Sequence, residues 1–82
     1  MDPADPIGRS CAERATTQVR QDFGLAPTSV EGWKFSDAYL AAYRAHPPTW
    51  ALDVGTDAGP LYRFHCIQWS DGRRSLHLID RD

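Results

Sequence analysis

With 82 residues, a net charge of −2 and a pI near 5.8, the chain has room for one domain over 1–82 and lacks the basic footprint that nucleic acid or an anionic membrane demands. No apolar run approaches the roughly 20 residues of a membrane span, and the opening MDPADPIGRS has neither the basic nor the apolar region of a signal peptide, so a cytoplasmic protein is expected. Cys11 and Cys66 are too few and too widely spaced for a disulfide scaffold, and in a reducing compartment both are expected to be buried small hydrophobes.

Residues 1–6 are polar and proline-punctuated, and are expected to be flexible. Ile7, Cys11, Ala15 and Val19 then recur at i+4, with Ala12 and Phe23 widening the stripe, which predicts an amphipathic helix near 9–23. Ser10 followed by Glu13 fits a capping box, Asp5-Pro6 offers an earlier start, and Gly24 supplies a stop. Leu25 to Lys34 reads as a connector with one helical turn, since Thr28 and Glu31 stand at capping-box spacing. Trp33 and Phe35 would plug a gap between helices. Ser36 caps a second helix near 37–46, whose Tyr39, Leu40, Ala42, Tyr43 and His46 form an aromatic stripe ended by Pro47-Pro48.

After the prolines, Trp50, Leu52 and Val54 alternate with Ala51 and Asp53, giving a strand near 49–54. The loop GTDAGP returns the chain into a hairpin with strands near 61–69 and 74–80. Two registers are open. A two-residue turn at Asp71-Gly72 sets Ile67 against Leu76, Arg63 against Asp80 and Cys66 against His77. A longer turn with a glycine bulge sets Cys66 against Leu76, Phe64 against Leu78 and His65 against His77. The second is preferred because it gathers Tyr62, Phe64, Cys66, Leu76 and Leu78 on one face. Burying a large apolar side chain contributes about 1.5–3 kcal/mol, against roughly 0–1 kcal/mol for one exposed ion pair.

These elements predict an α+β fold, two main helices packed on one face of a three-stranded antiparallel β-meander. The other face would show Ala51, Asp53, Arg63, His65, Ile67, Trp69, His77 and Ile79. Trp and Arg together resemble the centre of a protein interface more than a solvated sheet. The candidate partner-binding residues are Arg63, His65, Ile67, Trp69, Arg74 and His77. The function expected is a small non-enzymatic protein-binding module, of inhibitor or adaptor type, that docks a larger protein. Self-pairing into a homodimer through an edge strand, Trp50 to Val54 or Ser75 to Asp80, is the nearest variant.

Other chemistry is thinly supported. No cofactor motif is visible, and at most two metal ligands converge, His65 with His77 or Cys66 with His77, where zinc wants three or four. A Cys66/His77 nucleophile pair would make a small enzyme, but forms only in the two-residue-turn register. Three short helical segments and a hairpin could make a winged helix, yet the second helix carries a single arginine for phosphate contacts. Arginine outnumbers lysine eight to one, a bias that suits a GC-rich, bacterial or phage, coding sequence.

Overall fold

The computed structural model describes residues 5–42 and 47–81. In chain order it comprises α1 (Pro6–Phe23), β1 (Pro27–Lys34), α2 (Asp37–Ala42), β2 (Thr49–Thr56), β3 (Leu61–Gln68) and β4 (Arg74–Arg81). The four strands form one antiparallel sheet in the order β1-β2-β3-β4. The α+β class is as predicted, and the sheet has one strand more than expected.

The earlier of the two helix starts is used. Asp5 is the N-cap of α1, its Oδ1 accepting the Gly8 N–H at 3.0 Å, with Pro6 at the first helical position, where a missing N–H matters least. Gly24, at φ 65°, ends the helix in the left-handed conformation that glycine adopts without penalty. The predicted stripe is the buried one. Cys11, Ala12, Ala15 and Val19 join Trp50, Leu52, Val54, Tyr62, Phe64 and Cys66 in a single core between α1 and the sheet, with Ile7, Leu25 and Leu76 at its margin. Phe23 stacks on Tyr62 with ring centroids 4.6 Å apart.

The extra strand is β1, where a connector with a helical turn was expected. It pairs with β2 from Pro27↔Thr56 to Lys34↔Trp50, with a shift between Pro27 and Ser29. Its inward positions are Val30, Gly32 and Lys34, and only Gly32 is buried. A strand whose central inward position is glycine shows no apolar alternation, and the capping-box pair is used differently, Glu31 lying opposite Asp53 and Thr28 standing in the register shift. Because β1 covers it, Trp50 to Val54 is an internal strand; the edges are β1 and β4.

The hairpin takes the bulged-turn register near its tip, with Cys66↔Leu76, His65↔His77 and Phe64↔Leu78. Gly72, at φ 89°, donates to the Trp69 carbonyl at 3.1 Å, and Trp69 N–H donates to the Arg73 carbonyl at 2.8 Å. Farther along, the register shifts by one, so that Arg63 faces Asp80 and Tyr62 faces Arg81. Ile79 is the extra residue of this bulge. One strand thus follows one register near the turn and the other at its far end.

The helices do not share a face. Phe35 N–H donates to the Thr49 carbonyl at 2.9 Å, placing Phe35 on the face away from α1. There its ring meets His65 edge-on at 5.3 Å and stacks with Tyr39 at 4.9 Å. Leu40 of α2 is buried outside the α1-side core. Residues 43–46, including Tyr43 and His46 of the predicted aromatic stripe, and residues 1–4 of the predicted flexible start lie outside the described residues.

Cys11 and Cys66 are fully buried as predicted, but they are not separate thiols: they form a disulfide between α1 and β3. No helix among the described residues is long and apolar enough to cross a membrane.

Candidate functional site

The sheet face away from α1 is ordered in rows set by the strand pairing. Glu31, Asp53, Arg63 and Asp80 form one row, and Trp33, Ala51, His65 and His77 the next. Phe35, Thr49, Ile67 and Ser75 form a third, and Trp69 follows Ile67 by alternation along the chain.

Arg63 is held in place. Its Nε and Nη2 donate to Asp53 Oδ1 and Oδ2 at 2.7 and 2.9 Å, a two-pronged pair across β2 and β3, and its guanidinium lies 5.9 Å from the Trp33 ring centroid. At the hairpin end, Trp69 Nε1 donates to Ser75 Oγ at 2.8 Å, and the same hydroxyl lies 2.9 Å from His77 Nε2. Both indoles remain in reach of solvent, Trp33 at 42% and Trp69 at 39% exposure. His65 lies between the two ends. Burial, reinforced by the neighbouring Arg63 and His77, holds its imidazole below the ordinary range.

Five of the six predicted residues, Arg63, His65, Ile67, Trp69 and His77, therefore belong to this face. Arg74 does not. It pairs with Gln68, in phase with Cys66 and Leu76, and so points to the α1 side, where Nη1 donates to Ser10 Oγ and Nε to Gln68 Oε1, both at 2.8 Å. Its role is to tie the hairpin to the helix. The face is also less bare than predicted, because the Phe35 ring packs edge-on against His65, beside the buried Ala51. Trp33, expected between helices, is the residue that sequence reasoning missed here; its spacing of two from Phe35, with Lys34 between, was the available strand signal. Ala51 and Asp53 lie on this face as expected, while Ile79 stands in the bulge with no residue opposite.

A cleft of about 450 Å³ adjoins Trp69, lined by Pro47, Pro48, Gln68 and Ser70. Cys66 lies on the opposite side of the sheet from His77 and is bonded to Cys11, so the Cys66/His77 nucleophile pair does not form. The winged-helix arrangement is not formed either, since its middle helical segment is β1. Among the described residues no three His, Cys, Asp or Glu side chains are grouped to hold a metal ion. Comparison with protein-family models, with curated proteins and with solved structures found no match.

Proposed function

We propose that the chain is a protein-binding module whose docking surface is the sheet face away from α1, centred on Arg63, His65, Ile67, Trp69 and His77 and extended by Trp33. The observation that carries this reading is that the exposed anchor groups are fixed before any partner arrives. Asp53 grips the Arg63 guanidinium with two hydrogen bonds, and Ser75 holds the Trp69 indole. Aromatic and guanidinium groups dominate interface energetics, and each one already immobilised spares roughly 0.5–1.5 kcal/mol of ordering on association.

The charged row supports a further statement about the partner. Glu31, Asp53 and Asp80 outnumber Arg63 three to one along it, so the complementary surface is an apolar patch with a basic rim. Trp69→Ala and Arg63→Ala, each verified as folded, test the site. Both are expected to weaken a co-purified partner, and unchanged affinity in both refutes the assignment. Glu31→Lys tests the rim: slower association is expected, and unaltered kinetics at low salt would remove the basic-rim reading.

A further inference from the structure

Cys11 lies on the buried stripe of α1, and Cys66 on β3 between Trp50 of β2 and Leu76 of β4. Both residues have 0% exposure. Opening or closing a disulfide requires a thiolate to reach one of its sulfurs, and with α1 docked neither can be reached. The helix is fastened over them at two places. Asp5 accepts the Trp50 indole N–H at 2.6 Å, and Arg74 donates to Ser10 at 2.8 Å.

We infer that the chain is a substrate of thiol–disulfide exchange before α1 docks, that the docked helix then seals the Cys11–Cys66 bond against further exchange, and that the protein works in an oxidising compartment. The chemistry needs a donor disulfide, either a protein dithiol oxidant or a small-molecule disulfide. One cysteine thiolate attacks the donor, forming a mixed disulfide and releasing one donor thiolate. The second cysteine thiolate attacks the chain's sulfur in that mixed disulfide, forms the internal bond and releases the other donor thiolate. Two electrons and, overall, two protons pass to the donor, which leaves as its reduced form.

The sequence contains no third cysteine, so one pairing is available and no reshuffling is required. A bonded pair of this kind persists outside the reducing cytosol, which replaces the cytoplasmic expectation with an extracytoplasmic one. The seal also separates this bond from regulatory disulfides, which are exposed to exchange in the folded state.

The test is alkylation of the purified full-length chain with iodoacetamide, read by intact mass, with or without dithiothreitol, in native buffer or guanidinium. Without dithiothreitol no alkyl group is expected in either solvent. With dithiothreitol two groups are expected, added at least about 100-fold more slowly in native buffer than in guanidinium, because access requires opening of the helix. Asp5→Asn is expected to narrow that ratio without changing the rate in guanidinium. Alkylation in guanidinium without reductant, equal reduction rates in the two solvents, or an Asp5→Asn ratio equal to wild type would each overturn the inference. So would a fully reduced chain that refolds to wild-type stability before any donor disulfide is added.

Discussion

The Asp5 carboxylate serves two elements at once: Oδ1 accepts the Gly8 N–H at 3.0 Å in the first turn of α1, and Oδ2 accepts the Trp50 indole N–H at 2.6 Å from β2. These two bonds, the Gly8 bond foremost, hold its carboxyl below the ordinary value of 3.8. Asp5→Ala removes both and is expected to lower stability by about 2 kcal/mol in a urea titration, the sum of a lost cap and a lost charge-assisted bond. Because the folded-state value is the depressed one, the contribution is complete above the unfolded carboxyl's range and is lost as pH falls from there through the lower folded-state value. Stability measured from about pH 6 down to about pH 2 should therefore fall more steeply in wild type than in Asp5→Asn.

His65 supplies a second pH dependence, with the same sign from the opposite charge. Its imidazole is held below the ordinary 6.5, so the unfolded state binds the proton more readily, and stability should rise with pH between the folded and unfolded values. An NMR titration should place His65 below 6.5. In Arg63→Gln the same titration should move upward, since one repelling charge is gone. Burial, the larger cause, keeps it from returning fully. No movement in the variant would mean that the guanidinium does not sense the imidazole.

The Cys11–Cys66 bond joins residues separated by 55 positions in the sequence. Loop-closure entropy then predicts that Cys11→Ala combined with Cys66→Ala costs about 4 kcal/mol, measured by chemical denaturation against the oxidised parent. For so small a core that is a large share of the total. The double variant should be partly unfolded at physiological temperature.

Gly72, at φ 89° with open space where a Cβ would stand, is required for backbone conformation and not for room. Gly72→Ala should cost about 1–2 kcal/mol through the left-handed penalty alone. Gly72→Asn should recover part of this, since asparagine tolerates that region better. Thermal unfolding of the two variants checks the order.

The parts of the fold that burial dictates were legible in the sequence. Ile7, Cys11, Ala15 and Val19 marked the inner side of α1, and gathering Tyr62, Phe64, Cys66 and Leu76 on one side selected the hairpin register. The edge strand was not legible, because β1 contributes Gly32 to the buried layer and its polar positions imitate a helix cap. The disulfide left no spacing signature, yet its two cysteines lay on the buried sides of facing elements, and that coincidence was the available clue. Arg74 was misplaced although the preferred register already put it two residues before Leu76, hence on the helix side. Trp33 was missed with its strand, and the Phe35 ring was not expected on the sheet face away from α1, where it meets His65.

Quantitative affinity capture from the native host, comparing wild type, Trp33→Ala, Trp69→Ala and the α1 surface control Gln18→Ala, tests the docking face most directly. A protein should be retained by wild type and by Gln18→Ala but bound at least about 30-fold more weakly by both tryptophan variants, the loss typical of a buried interface anchor. Equal retention of every captured protein by all four would rule out docking through this face.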